Sequence, residues 1–137
     1  MILDTSAVVA ILALEPEAEE FIQAISTAPR CRISAGTFVE LSIVLENQLG
    51  AEAVHQCEAL FRRAGVVIEP VTVEQAYLAK QAFHDFGKGR HRAGLNFGDC
   101  FSYALAKETG EELLYKGKGF RKTDLGERDL TFPTLSL

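Results

Sequence analysis

Met1-Ile2-Leu3-Asp4-Thr5-Ser6, followed by the apolar run over residues 7–14, decides the fold. The first three residues read as a very short buried strand. Asp4, Thr5 and Ser6 then offer side-chain oxygens to the free backbone N–H groups of a starting helix, so strand passes into helix at the very beginning of the chain. Outward from there, Glu15-Pro16-Glu17 restarts a helix that runs to about Ser26, with Pro in the first turn and carboxylates at the positive end of the dipole. Residues 32–35 read as a second strand and 37–49 as a helix ended by Gly50. Residues 51–64 read as a helix that turns Val54, Ala59, Leu60 and Phe61 inward and closes at Gly65, and 66–68 as a β-branched strand.

The pattern then repeats. A helix is expected over 73–86, a glycine-rich basic loop over 87–96, a helix over 98–108, and strands over 112–115 and 130–132. The length of the loop suggests a functional or mobile segment. Short apolar strands alternating with helices predict one α/β domain over residues 1–137, a three-layer α/β/α sandwich with a central parallel sheet covered on both faces.

The 137 residues are 47% hydrophobic and 24% charged, which suits one soluble domain with a real core. The apolar run over 7–14 is far shorter than the roughly 20 residues of a membrane span. It also lacks a basic flank and a cleavage signal, so no membrane association or export is expected. Cys31, Cys57 and Cys100 are scattered, without a C-x-x-C pair, and read as small buried hydrophobes of a cytoplasmic protein. The net charge of −5 excludes binding of nucleic acid by bulk electrostatics alone. Two stretches nevertheless concentrate positive charge: Lys80, Lys88, Arg90 and Arg92 with His84 and His91, and Lys116, Lys118, Arg121 and Lys122.

Three acids require a physical account. Asp4 sits at the carboxyl end of a strand, where open parallel sheets form their sites. Residues 38–45 are apolar except for Glu40 and Ser42, so Glu40 interrupts a helix surface that should be packed. Asp99, in the first turn of its helix, is flanked by Phe97, Cys100 and Phe101. Singly, the three pass as an N-cap, an edge-of-core residue and a first-turn acid. Gathered in one apolar setting, they would repel one another and lose hydration, which calls for a compensating cation. Lysines could supply it. A hard divalent ion is the better candidate, because Mg²⁺ or Mn²⁺ prefers oxygen ligands, keeps waters, and is typically held by a few carboxylates.

Met1-Ile2-Leu3-Asp4-Thr5-Ser6-Ala7, the segment from Ser34-Ala35 to Glu40, Lys88-Gly89-Arg90-His91, Ala93-Gly94-Leu95-Asn96-Phe97-Gly98-Asp99-Cys100 and Tyr103-Ala104-Leu105-Ala106 carry a family resemblance. In this order, from Met1 to about Asp124, the chain resembles the VapC-type PIN-domain toxins, most specifically in Leu-Asn-Phe-Gly-Asp-Cys. The resemblance implies a PIN-like fold, a homodimer, and an acidic pocket for Mg²⁺ or Mn²⁺. It also implies endonucleolytic cleavage of RNA by metal-activated water, and a small VapB-type antitoxin partner. It matches Asp4, Glu40 and Asp99 to the metal-binding, catalytic acids and Ser6 to a supporting hydroxyl. Lys88, Arg90, Arg92, Lys116 and Lys118 would then hold the RNA backbone.

The sequence departs from the family after Lys116-Gly117. Members usually place an acid there, and this chain has Lys118-Gly119, with Asp124 as a weaker stand-in. A carboxylate replaced by Lys moves local charge by about two units, which suggests a one-metal site, a weakened enzyme, or Lys118 bound to RNA phosphate. Three rivals stand beside the metal-dependent nuclease. One is a metal-independent ribonuclease using His84 and His91. Another is a phosphatase with Asp4 as nucleophile, although such enzymes want a second Asp where Ser6 stands. The third is a PIN-like module that only binds RNA or a partner. The apolar 7–14 run and the Phe21, Ile22 and Ile25 face could receive an antitoxin segment or belong to an ordinary core.

Overall fold

The computed structural model describes residues 1–126 of the chain. Four strands form one parallel sheet in the order β3-β2-β1-β4: β1 (Ile2–Leu3), β2 (Arg32–Ser34), β3 (Val67–Glu69) and β4 (Leu113–Leu114). Six helices cover it: α1 (Thr5–Leu12), α2 (Ala18–Thr27), α3 (Ala35–Leu49), α4 (Ala51–Ala64), α5 (Val73–Phe86) and α6 (Phe97–Thr109). A 3-10 turn, Phe120–Lys122, follows β4. The expected strand over 130–132 lies outside the described residues. Among the described residues, no helix is long and apolar enough to cross a membrane.

The two residues of β1 show why the sheet is sandwiched. Successive side chains of a strand point to opposite faces. Leu3 joins a core with Ala7, Val8 and Ile11 of α1, Phe21 of α2, Leu41 and Leu45 of α3 and Phe61 of α4. Ile2 joins a second core with Ala82 of α5, Leu105 of α6, Leu113 and Phe120. Each fully buried Leu or Ile contributes roughly 1.5–3 kcal/mol, so a two-residue strand is held by packing on both faces more than by its own ladder. All three cysteines are free and buried, as expected.

Caps place the helix starts. Asp4, Ser34, Thr72 and Asn96 each accept a backbone N–H from the first turn of α1, α3, α5 and α6. Gly65 (φ 64°) and Gly110 (φ 73°) close α4 and α6 in the left-handed region that L side chains avoid.

Some expectations are corrected by packing. The second helix begins at Ala18 instead of Glu15, after a turn in which Leu14 adopts a positive φ; the Glu15 and Glu17 side chains pair with the Lys116 ammonium (3.1 and 3.5 Å). On α4, Ala53, Cys57 and Phe61 are the buried residues, while Val54 and Leu60 pack at the core edge and Ala59 is half-buried. The 87–96 loop is closed upon itself. Lys88 N–H donates to the Leu95 carbonyl (2.8 Å), Leu95 N–H donates to that of Phe86 (2.9 Å), and Leu95 is buried.

Candidate active site

The order β3-β2-β1-β4 reverses direction at β1: the chain moves outward through β2 and β3 on one side and returns as β4 on the other. Open parallel sheets accommodate ligands at such a reversal, beyond the carboxyl ends of the strands. Asp4 emerges there, its backbone N–H donating to the Leu114 carbonyl (3.0 Å) and its side chain capping α1. It is 2% exposed. Its Oδ2 accepts from the Ser6 backbone N–H (3.0 Å) and hydroxyl (2.6 Å), and its Oδ1 accepts from the Ser102 hydroxyl (2.6 Å).

Glu40 approaches from α3. Its Oε1 accepts from the Thr5 hydroxyl (2.6 Å), and its carboxylate lies so close to Gly98 that a Cβ there would overlap it. The missing side chain lets the acid rest on the first turn of α6, whose free N–H groups and positive dipole end favour an anion. Asp99 stands in that same turn. Its N–H donates to Asn96 Oδ1 (2.9 Å) and its Oδ2 accepts from the Asn96 N–H (3.0 Å), a reciprocal capping box. Oδ1 of Asp99 has no hydrogen-bond partner among the described residues.

The three acids therefore meet electrostatically. Burial pushes the Asp99 carboxyl up to about 6 against the pull of the Asn96 N–H, and the negative charges of Asp4 and Glu40 raise it further. Among the described residues, no Lys, Arg or His forms an ion pair with Asp4, Glu40 or Asp99. An anionic cluster of hard oxygens with hydroxyl and N–H donors but no cationic partner suits a hydrated divalent ion. The expected cup is nevertheless looser than a cage. Among the described residues, no three His, Cys, Asp or Glu groups stand close enough to hold one ion together. Asp4 is turned into its hydroxyls and Glu40 into Thr5.

The apolar reading of the Glu40 helix is corrected in part. Leu41 and Leu45 are buried, but Val39 and Ile43 are 57% and 54% exposed. Glu40 thus lies on the boundary between a packed stripe and an open one. Phe97 is 78% exposed beside the acids, its ring edge-on to Phe101 (centroids 5.0 Å apart).

The remaining candidates fall in different places. Ser6 joins the site, and its hydroxyl also accepts the Lys116 backbone N–H (2.9 Å). The Lys116 ammonium is directed to Glu15 and Glu17, whose hydrogen bonds and charges raise its pKa. Lys118, Lys88, Arg90 and Arg92 are exposed. Asp124 is held elsewhere. It accepts from the Tyr103 hydroxyl (2.7 Å) and pairs with Lys107, and these hydrogen bonds hold its carboxyl below the usual range although burial opposes them. Both partners lie on α6 beyond Asp99, so the stand-in acid is not brought to the other three. His91 has a structural use: its Nδ1 accepts from the Ala93 N–H (3.0 Å) and its ring packs edge-on to Phe86.

Thr37 and Ser102 were not singled out from the sequence, Thr5 was read only as part of the capping cluster, and Gly98 only as part of the Leu-Asn-Phe-Gly-Asp-Cys run. Two signals were present: a small polar residue interrupting the apolar α6 run three positions after Asp99, and a glycine beside a candidate acid. Neither says which distant side chain it meets.

This arrangement, acids from three separate segments at the carboxyl edge of a short parallel sheet, defines a class. The sequence matches the PIN domain over residues 1–125, and the chain belongs to that family. Within it, the chain is similar to proteins named ribonuclease VapC. It is 46% identical over 125 residues to the Mycolicibacterium smegmatis protein, covering 91% of this chain and 97% of that one. It is 47% identical over 124 residues to ribonuclease VapC28 of Mycobacterium tuberculosis, covering 90% and 93%. Among solved structures, the fold is similar to that of Mycobacterium tuberculosis VapC20, a sarcin-ricin loop cleaving toxin. The TM-score is 0.69 at 18% identity, with 93% of each chain covered.

Proposed function

We propose that the protein is a Mg²⁺- or Mn²⁺-dependent endoribonuclease, the toxin of a cytoplasmic toxin–antitoxin pair, acting through a single PIN domain over residues 1–137. The observation that carries this reading is the approach of the three acids: Glu40 rests against Gly98 beside Asp99, the charges of Asp4 and Glu40 act on Asp99, and none of the three has a cationic partner among the described residues. Asp99 and Asp4 would hold the ion, with Glu40 as a direct or water-mediated ligand. When bound, a divalent ion supplies an acidified water and offsets charge developing on a phosphodiester. The chain's own contribution is orientation. Ser6 and Ser102 fix Asp4, Thr5 fixes Glu40, the capping box fixes Asp99, and Gly98 keeps the N-terminal turn of α6 open to Glu40. Exposed Lys88, Arg90, Arg92 and Lys118 are suited to RNA phosphates, and Lys116 contributes through its backbone N–H more than its ammonium.

Two partners follow from kinship with the VapC ribonucleases. A VapB-type antitoxin is supported by an apolar cleft of about 360 Å³ between α2 and α4, lined by Ile22, Ile25, Leu60 and Ala64 with Arg63. A second copy of the chain is supported by Val39 and Ile43, exposed one turn apart on α3.

The test is cleavage of a structured RNA by purified protein with Mn²⁺, with chelator, and with Asp4→Asn and Asp99→Asn. Cleavage that needs the ion and both acids supports the reading. Intact RNA in every lane, with RNA still retained, would favour the binding-module reading, which the exposed Lys118 in place of an acid supports.

A further inference from the structure

Thr37 on α3 and Ser102 on α6 are both 0% exposed, polar side chains inside the packing between two helices. A hydroxyl there has lost its water and is tolerated only through its hydrogen bonds, whereas an Ala or Val would need none. The two oxygens lie 3.1 Å apart, and Ser102 Oγ lies 2.6 Å from Asp4 Oδ1.

Proton counting assigns the direction. Each hydroxyl has one proton to give, and a carboxylate only accepts. The Ser102 proton is given to Asp4, so the 3.1 Å bond is donated by Thr37 and accepted by Ser102. A matching chain reaches the other oxygen, from the Lys116 N–H to Ser6 Oγ (2.9 Å) and from the Ser6 hydroxyl to Oδ2 (2.6 Å). Two donor chains, from α3–α6 on one side and from the segment just after β4 on the other, thereby fix both oxygens of one carboxylate and hence the plane of the group.

We propose that Thr37 and Ser102 are positioning residues for Asp4, a directed hydroxyl relay that sets the carboxylate orientation needed for divalent-ion binding. Neither reaches substrate. The inference rests on the nuclease reading above and extends it to two residues on the far side of Asp4. Partners that orient a metal ligand in this manner typically change affinity by about 10- to 100-fold when removed.

The experiment is calorimetric titration of the full chain with Mn²⁺, together with melting in chelator and steady-state cleavage. Ser102→Ala is expected to weaken Mn²⁺ binding by about tenfold or more, and to lower kcat with KM for RNA unchanged. Thr37→Val is expected to weaken binding, while Thr37→Ser, which keeps the donor, restores it to near the wild-type value. The double variant Thr37→Val/Ser102→Ala should bind no more weakly than Ser102→Ala alone, because the relay acts in series. Wild-type affinity in folded Ser102→Ala overturns the relay while leaving the metal-dependent reading in place. If Ser102→Ala does not fold, equal affinities of the two Thr37 variants overturn it equally. Absence of Mn²⁺ uptake by the unsubstituted protein removes the nuclease reading and the relay with it.

Discussion

Asp99→Asn should stabilise the metal-free protein at neutral pH and abolish its stabilisation by Mn²⁺. Asp99 ionises near 6 in the fold against an ordinary value of 3.8, raised first by burial and then by Asp4 and Glu40. An acid shifted upward favours folding while protonated, so its contribution is full below the unfolded value and is lost as pH rises through the folded one. About two units correspond to at most about 3 kcal/mol, and solvent reaching part of the carboxyl reduces this to about 1–2 kcal/mol. The Asn side chain can still accept the Asn96 N–H through its oxygen, so the cap survives. In chelator at pH 7.5 the variant should melt about 3–8 °C above the wild type, with the gap closing by about pH 4. Adding Mn²⁺ at about a hundredfold above its dissociation constant should raise the wild type by about 2.7 kcal/mol and leave the variant nearly unmoved. Thermal unfolding across pH with and without Mn²⁺ reads all of this. A variant less stable than the wild type at pH 7.5 in chelator would show that Asp99 is held by favourable contacts, and the charge argument for the site would collapse.

Gly98→Ala should disable cleavage while leaving α6 helical, because the added methyl overlaps the Glu40 carboxylate and must push it off the helix start; circular dichroism beside an RNA cleavage assay separates the two effects. Thr5→Val removes the donor to Glu40 and should lower cleavage more than it lowers the melting temperature, since Thr5 is only half-buried. Asp124→Asn should cost up to about 1 kcal/mol through the weakened Tyr103 and Lys107 contacts, yet cleave RNA at the wild-type rate; loss of Mn²⁺ affinity instead would return Asp124 to the site. Lys118→Ala should weaken RNA binding and reduce the salt dependence by about one phosphate contact, and binding unchanged at every salt concentration would remove Lys118 from the RNA path.

Much of the fold was legible because it is written in local chemistry. Helix α5 was read over about 73–86 and spans Val73–Phe86, where Thr72 caps its start and glycine follows Phe86. Element type held for α2 while its start did not: Leu14 turns the chain with a positive φ, and the helix starts at Ala18 after Glu15 and Glu17, whose side chains pair with Lys116 from far along the chain. The same distinction runs through the site. Asp4, Glu40 and Asp99 were visible as acids in apolar company, and Ser6 as a neighbour of Asp4. Thr37 and Ser102 looked like ordinary helix residues, because what distinguishes them is a hydroxyl contact across 65 positions between them and one across 98 positions from Ser102 to Asp4.

The sequence by itself determined the alternation of short apolar strands with capped helices, hence a parallel sheet covered on both faces, and three acids that pass singly but call for a cation when gathered together. Only the tertiary structure decided that these acids share a field without forming a closed three-ligand cage, that Asp124 belongs to Tyr103 and Lys107, and that buried hydroxyls orient Asp4. The physical reason is range. Capping and periodicity act over a few residues and can be read along the chain, whereas carboxylate orientation is set by hydrogen bonds reaching across the sheet, whose partners are known only when the helices are in place.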